Sequence, residues 1–439
     1  MPYFIALLIV GLPLIILEFL LGNYFAGSSP KVFRGIRKSL EIIGWIATLD
    51  VFIIGTYYAV VLAWVMDYIG LSALNAVSWF GSAGKLFGWV VSTPWLVLIG
   101  LAITWAITWV TVFVGVSGGI ERACLFAIPA LWVLSAILVI RGVTLPGSDV
   151  GINWYLTPNW AALTKGQVWI DAFGQILFTL SIMAAPLIVY ASYMPKKSEL
   201  PNSAWITAFA NCGFSFFFGF ATWGILGYLM QASHVSSPSK LPVPLGGGGL
   251  AFVTIPTAVA KLPGAPLTSA IFGTIFFVIL WLAGYTSLLS IAEPVYAALR
   301  DKYGVTRKAA VAGITIVSFV IGLAFVWNPN LIDPVDFITG TTNLIWVVLL
   351  ESVLASYYLG ISKLREYANP YAELKLGRWL DVLLMIVTPA SLGTILVYGL
   401  YSTKMVSPIS ALVLVGLLIA SIVFAGSSWK KSLSGGGGK

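Results

Sequence analysis

Charged and metal-binding side chains are scarce in this chain of 439 residues, of which only 9% are Asp, Glu, Lys or Arg. The one histidine, His234, falls in a loop, which argues against a zinc site or a histidine-based catalytic centre. The two cysteines, Cys124 and Cys212, lie inside apolar segments and fit small core residues better than a disulfide framework. The sequence contains no catalytic triad, Walker loop or metal motif, so we expect a protein that is not an enzyme.

Apolar residues are abundant instead: 59% of the chain is hydrophobic and its mean hydropathy is +0.96. A soluble domain of this size could not bury so much apolar surface, so the predicted fold class is an all-α polytopic membrane protein. Eleven apolar segments are long enough to span a bilayer. They lie near 2–23, 41–69, 91–114, 119–141, 168–192, 203–231, 268–299, 308–327, 335–360, 379–401 and 408–426.

The net charge of +8 reflects the distribution of basic residues among the loops rather than a nucleic-acid surface. With loops assigned to alternating sides, eighteen of the 24 Lys and Arg residues fall on one side. This asymmetry predicts a plasma-membrane protein with a cytoplasmic C-terminus and a disordered Gly/Ser-rich tail at 428–439. Eleven spans then place Met1 outside, at the start of a span and without a signal peptide. The chain either begins outside naturally or, as we expect, lacks one preceding helix.

Two segments place small oxygen ligands inside predicted spans. At 178–186 the sequence Phe-Thr-Leu-Ser-Ile-Met-Ala-Ala-Pro ends in Pro186, which is expected to free the Ile182 carbonyl and bend the span. A simple proline kink in a packed helix is the alternative. At 283–287 the sequence Ala-Gly-Tyr-Thr-Ser carries hydroxyls on one helix face. Both features are costly in a bilayer unless they line a water-accessible site, so they predict a transporter that binds ions and a small solute at its midplane.

Short motifs occur in a defined order along the chain. They are Pro-Tyr at 2–3, Gly-Leu-Pro at 11–13 with Glu18, Gly-Thr-Tyr-Tyr at 55–58, Gly-Gly-Ile-Glu-Arg at 118–122, Gly-Gln at 174–175 before 178–181, Asn-Cys at 211–212 with Ser215 and Gly-Phe at 219–220, Ala-Gly-Tyr-Thr-Ser at 283–287 with Glu-Pro at 293–294, and Asp-Phe at 336–337. Their order and spacing resemble the neurotransmitter:sodium symporter family, including its bacterial leucine-transporter branch. The resemblance covers residues 2 to about 427.

The resemblance implies the family's inverted-repeat helical bundle, in which two related halves enclose a midplane site. The match begins at the family's second helix, so the eleven spans would correspond to helices 2 to 12. On this basis a transporter domain covers 1–427. It would comprise a first repeat at about 1–145, truncated at its start, a second repeat at about 168–360, and two extra helices at about 379–427.

Two sodium sites follow from the resemblance. Ala283, Thr286 and Ser287 share one helix face, and their two hydroxyls and one carbonyl form half a shell of hard oxygen ligands. The alternative is that the hydroxyls bond back to preceding carbonyls or pack against a neighbouring helix. Thr179 and Asn211 resemble ligands of the second site, with an interhelical hydrogen bond as the alternative for Asn211.

A chloride site is also implied. The neutral residues that resemble the anion site of chloride-dependent members are Tyr3, Gln175, Thr179, Asn211 and Ser215. Chloride-independent members commonly carry a carboxylate near this site, whereas position 215 here is a serine. The resemblance therefore implies chloride dependence.

The substrate pocket is implied at a further set of positions. Tyr58 resembles the tyrosine whose hydroxyl meets the carboxylate of an amino acid, with a purely packing role as the alternative. The other positions that resemble pocket-lining residues are Ile54, Phe178, Ser181, Ala184, Ser287 and Ile291. Ile54 and Phe178 are bulky and Ala184 is small, which suits a small-to-medium apolar amino acid as the substrate.

Carboxylates inside spans are functional candidates by default. Glu18 and Glu351 are two of these, and the resemblance places Glu18 as a structural residue against the backbone of a broken helix. Asp50 is expected near the cytoplasm, capped by a lysine. The resemblance also implies half of each gate, since the partner arginines would precede this chain: Asp336 at the outer gate, and Tyr193 and Asp301 at the inner gate.

These features predict a sodium-coupled symporter of an amino acid or a related small zwitterion. The competing hypothesis is a truncated, non-transporting membrane scaffold, or a fragment that needs a separately supplied first helix. The expected partners are a small solute and the lipid bilayer, and not nucleic acid. Neither the substrate nor the oligomeric state can be predicted from these residues.

Overall fold

A computed structural model of the chain describes residues 1–402 and 407–430, and the regular elements in this part are helices. Most of the predicted tail, from residue 431 onward, lies outside the described residues. In chain order the helices are α1 (Pro2–Phe25), α2 (Ser29–Ile36), α3 (Lys38–Ala73), α4 (Ala76–Phe80), α5 (Ala83–Val91), α6 (Pro94–Val114), α7 (Val116–Val143), α8 (Ser148–Leu156), α9 (Gly166–Thr179), α10 (Pro186–Tyr193), α11 (Leu200–Ala232), α12 (Gly247–Ala260), α13 (Leu267–Tyr303), α14 (Arg307–Trp327), α15 (Pro329–Tyr371), α16 (Arg378–Tyr398) and α17 (Pro408–Gly426).

Ten of these helices are long and apolar enough to cross a membrane, and they match ten of the eleven predicted spans. The remaining span, predicted at 168–192, is divided into α9 and α10 by a non-helical segment at 180–185. Ser181 and Ala184 have φ angles of 53° and 52°. A side chain in this left-handed region costs roughly 1–2 kcal/mol, so the surrounding packing must hold the break open.

The expected break is present, but Pro186 does not produce it by bending the helix. It is the first residue of α10, where its fixed φ suits a helix start and its missing N–H leaves no helical bond unmade. The proline therefore starts a new helix after the break. The division of the chain into two repeats stays a prediction.

The broken helix packs along α1, which contacts both α9 and α10. Glu18 of α1 is fully buried, and its Oε1 accepts a hydrogen bond from the Ala184 N–H at 2.8 Å. On the opposite side, α3 and α13 form the most extensive helix pair, and α6 and α11 complete a second apolar core with them. The break thus faces the α3–α13 pair across the centre of the bundle.

Candidate functional site

A cavity of about 300 Å³ lies between the α9–α10 break, α3, α13 and α15. Six of the seven residues predicted to contact substrate line it, as do Thr179 and Gln175 from the predicted ion sites and Asp336 from the predicted outer gate. The full lining is Ile54, Tyr57, Tyr58, Gln175, Phe178, Thr179, Ser181, Met183, Pro186, Ser287, Ser290, Ile291 and Asp336.

Ala184 is the predicted contact that does not line the cavity. It is fully buried, and its backbone N–H points to Glu18 in the core beside α1. Met183 and Pro186 line the cavity instead, because the left-handed turn at Ala184 directs its methyl group into the packing. The resemblance implied the pocket positions and a break in this helix, but not the left-handed turn that buries Ala184.

Tyr58 reaches across the cavity from α3 to α13. Its hydroxyl lies close to Gly284 of α13, about one helical turn before Ser287. The approach is close because position 284 is glycine: a Cβ there would stand 3.2 Å from the Tyr58 Oη. The tyrosine hydroxyl and the Ser287 hydroxyl therefore occupy one wall of the cavity.

The predicted sodium ligands on α13 form a compact oxygen cluster. The Thr286 Oγ1 and the Ser287 Oγ both donate to the Ala283 carbonyl, at 2.9 and 3.1 Å. This is the back-bonded arrangement considered as an alternative to sodium binding. Because each hydroxyl uses its proton within the helix, its lone pairs stay available to a cation. Ser287 is exposed to the cavity, so an ion could reach the cluster from there.

Thr179 and Asn211 are also brought together. The Asn211 Nδ2 donates to the Thr179 carbonyl at 3.0 Å and to its Oγ1 at 3.1 Å. This bond joins α9 to α11 just before the break, which is the interhelical role considered for Asn211. Since Thr179 faces the cavity, the pair stands near the solute space on the wall formed by α9.

The same pair supplies two of the five predicted chloride residues, and the other three lie around it. The Tyr3 hydroxyl lies near Cys212 and Thr179 but is buried without a hydrogen-bond partner among the described residues. Gln175 lines the cavity one turn before Thr179. Ser215 donates to the Asn211 carbonyl at 3.1 Å, so its proton is used within α11. Among the described residues the Tyr3 hydroxyl has no hydrogen-bond partner, so its proton is available beside the Thr179–Asn211 pair.

At one end of the cavity, the Tyr57 hydroxyl donates to Asp336 at 2.5 Å. The predicted inner-gate residues lie near the C-terminal end of α13, and they do not bond directly to one another. Tyr193 donates to Glu293 at 2.8 Å, whereas Asp301 pairs with Arg300 at 2.8 Å. Arg300 connects them, because its guanidinium also lies 5.5 Å from the centre of the Tyr193 ring.

Sequence reasoning missed the central ion pair at this end. Glu293 is fully buried and receives two bonds from Arg307, at 3.0 and 2.6 Å. Arg307 also donates to the Val112 carbonyl of α6 at 2.7 Å, so it joins α13, α14 and α6. The Glu-Pro motif at 293–294 was a signal, since an acidic residue just inside a span requires a partner.

Comparison with known proteins identifies the family to which this architecture belongs. The model of the sodium:neurotransmitter symporter family matches residues 1–87 and 90–422. The chain belongs to the sodium:neurotransmitter symporter family. It is therefore a multi-pass membrane transporter driven by sodium, and not an enzyme, as predicted.

The relatives include a prokaryotic protein as well as animal proteins. An uncharacterized sodium-dependent transporter of Methanocaldococcus jannaschii is 36% identical over 90% of this chain and 81% of its own length. The human sodium- and chloride-dependent GABA transporter 2 is 28% identical over 82% of this chain and 67% of its own length. The rat sodium- and chloride-dependent taurine transporter is 26% identical over 89% and 70%.

A second carboxylate accompanies Glu18 in this symporter. Glu351 of α15 is fully buried, interacts electrostatically with Glu18, and neither of its oxygens has a hydrogen-bond partner among the described residues. Ionising both carboxylates in one apolar environment would carry a large electrostatic cost. Glu18, through Ala184, links this pair to the shape of the break.

Proposed function

We propose that this symporter carries an amino acid or a related small zwitterion through the cavity between α3, α13 and the α9–α10 break. The observation that carries the proposal is the placement of Tyr58 and Ser287 on one wall, beside the α13 oxygen cluster. A solute carboxylate that accepts a bond from Tyr58 would lie next to a sodium ion held by that cluster. The ion and the carboxylate would then stabilise one another.

The size and lining of the cavity support a small solute. A volume of about 300 Å³ is at the lower end for ligand pockets. Ile54, Phe178 and Ile291 supply apolar contacts for a short side chain, and Ser181 supplies a hydroxyl. Three named solutes of relatives fit this chemistry, since GABA, taurine and creatine each carry an acidic and a basic group, whereas the serotonin of a fourth relative has no carboxylate.

The sodium ligands in this proposal are the Ala283 carbonyl with the Thr286 and Ser287 hydroxyls at one site, and Thr179 with Asn211 at the other. At the second site the Thr179 hydroxyl is a neutral ligand, and the Asn211 amide oxygen becomes one when the amide group turns over, because its nitrogen now faces Thr179. Because these ligands are neutral, no unpaired carboxylate remains at the site when the sodium ion leaves.

We also propose that chloride binds beside the Thr179–Asn211 pair. The free Tyr3 hydroxyl and the Gln175 amide are the donors that an anion requires. Several relatives are named as chloride-dependent, which supports the proposal of a chloride site. The excess of basic residues in alternate loops supports a cytoplasmic C-terminus in the plasma membrane.

The test uses the full chain in liposomes with a labelled amino-acid mixture and an inward sodium gradient. We expect uptake with sodium outside and none with choline. Replacing Thr286→Ala with Ser287→Ala should raise the half-saturating sodium concentration by roughly tenfold or more, since two oxygen ligands are lost. The matched control is Ser203→Ala with Thr207→Ala, two hydroxyls on α11 that also bond back to their own helix.

Solute uptake that does not depend on the sodium gradient would refute the coupling of solute to sodium in this chain. Sodium dependence that is equal in the α13 variant and the α11 control would instead refute the placement of the site.

A further inference from the structure

Asp50 is a buried carboxylate that none of the proposed roles uses. It lies on α3 one helical turn before Ile54, and only 3% of its surface is exposed. Its Oδ1 accepts a bond from the Asn343 amide of α15 at 3.1 Å. Its Oδ2 is buried without a partner among the described residues. The expected lysine cap is replaced by this single neutral donor.

A second, much smaller cavity adjoins Asp50. Its volume of about 10 Å³ is close to the space that one water molecule or one monatomic ion requires, and it is too small for an amino acid. It shares Ile54 and Met183 with the solute cavity, so the two spaces are separated by one layer of side chains. The complete lining is Ala47, Asp50, Val51, Ile54, Met183, Thr339, Leu344 and Val347.

Thr339 adds a second oxygen to this small cavity. It is fully buried, and its hydroxyl donates to the Val335 carbonyl at 3.1 Å. Because its proton is used within α15, its lone pairs can coordinate a cation. The Asn343 amide fixes the orientation of the Asp50 carboxylate from the same helix, since Asn343 follows Thr339 by one turn.

The charge around Asp50 favours a cation. Among the described residues that line either cavity, none is Lys, Arg or His, whereas both Asp50 and Asp336 are acidic. An ionised carboxylate inside a membrane protein is strongly unfavourable with one amide as its only donor. A single carboxylate with neutral oxygens suits a monovalent ion, because divalent sites in proteins gather several carboxylates. The described residues contain no cluster of three or more potential metal ligands of that type.

We propose that Asp50 and Thr339 bind a monovalent metal cation in the small cavity, sodium under transport conditions. This site is separate from the Thr286–Ser287 and Thr179–Asn211 ligand sets. It rests on the sodium coupling of the family and not on the identity of the solute. An ion there would stabilise the face of α3 that presents Ile54 and Tyr58 to the solute, so its occupancy should favour solute binding.

The test is equilibrium binding of radioactive sodium to the purified full chain in detergent, at a fixed, mildly alkaline pH. Asp50→Asn keeps the shape of the side chain and removes its charge. We expect this variant to bind about one sodium ion per chain fewer than the wild type. Thr339→Val keeps the volume and removes only the hydroxyl, and it should weaken one class of sodium sites by roughly tenfold. Asp171→Asn, at an exposed aspartate of α9, is the control and should bind as the wild type does.

The proposal is overturned if Asp50→Asn binds as many sodium ions as the wild type, with the same affinity. This holds even if sodium binding by the variant differs from the wild type in its dependence on pH. If Asp50→Asn does not fold, Thr339→Val decides: an unchanged sodium affinity overturns the proposal and a weakened one supports it. The Thr286→Ala with Ser287→Ala variant separates the two sites. It should lose its own ion whether or not Asp50 binds one.

Discussion

The strongest prediction for stability concerns a buried ion pair that joins α17 and the residues just after it to α3 and α13. Lys302 of α13 is fully buried and its Nζ lies 2.5 Å from the Glu41 Oε1 of α3. The same Nζ donates to the Phe424 carbonyl and, at 3.3 Å, to the Ala425 carbonyl, both near the end of α17. The segment that follows α17 adds a bond from the Trp429 indole to the Glu41 Oε2 at 2.9 Å.

The two partners are unequally supported, and this asymmetry sets the magnitudes. Without Lys302, Glu41 keeps Arg34 at 2.7 Å and the indoles of Trp45 and Trp429. Without Glu41, Lys302 keeps two carbonyl oxygens and the rings of Trp45 and Trp429, and among the described residues it is a buried charge without a counter-ion. Breaking such a pair by removing one partner typically costs 3–5 kcal/mol, so we expect about 4 kcal/mol for Glu41→Gln. For Lys302→Met we expect about 2 kcal/mol, because the remaining carboxylate is still paired.

The assay is reversible unfolding in mixed micelles, followed by tryptophan fluorescence, with the two single variants and their double mutant. Because the partners are in contact, the double mutant should be less destabilised than the sum of the single variants, by at least about 1 kcal/mol. A larger loss for Lys302→Met than for Glu41→Gln would refute the reasoning. Strict additivity would also refute it, since it would mean that the two charges do not stabilise one another.

Two further predictions concern the transport cavity. Tyr58→Phe removes the hydroxyl proposed to meet a solute carboxylate, so the half-saturating solute concentration should rise by roughly tenfold with little change at saturating solute; an unchanged value would make Tyr58 a packing residue. Replacing chloride by gluconate should reduce uptake, and Tyr3→Phe should make the residual uptake less sensitive to chloride, because it removes the free donor beside Thr179; full uptake in gluconate would contradict a chloride site.

Much of the bundle could be predicted because the membrane imposes simple requirements on sequence. Apolar length located the ten continuous helices, and the mixture of Ser, Ala and Pro located the break. The details of the break could not be predicted. Whether Pro186 bends a helix or starts one depends on the residues before it. The left-handed turn at Ala184 is stabilised by a bond to Glu18 of α1, a contact that local sequence does not encode.

The pairings of buried charges were the other features that the sequence could not supply. Asp50 meets Asn343 from α15, and Glu41 meets Lys302 from α13, across separations of 293 and 261 residues. Each acid has several basic or amide residues at plausible depth, and only the folded arrangement of helices selects one. Charge at a given depth predicts that a partner exists, and the tertiary structure decides which residue it is.

The positions of the paired and unpaired charges bear directly on coupling. At the Arg307 end of α13, Glu293 and Asp301 are each paired with an arginine. Around the solute cavity, Asp50 and Asp336 have only neutral partners among the described residues. A zwitterion brings no net charge, so it cannot neutralise this region, whereas a cation can. Cation binding and solute binding in the same cavity would then favour one another, and by linkage the effect must be reciprocal: solute should tighten sodium binding by the factor by which sodium tightens solute binding. Measuring the solute affinity of the purified protein with and without sodium tests this argument, since an unchanged solute affinity would show that the ion and the solute do not stabilise one another.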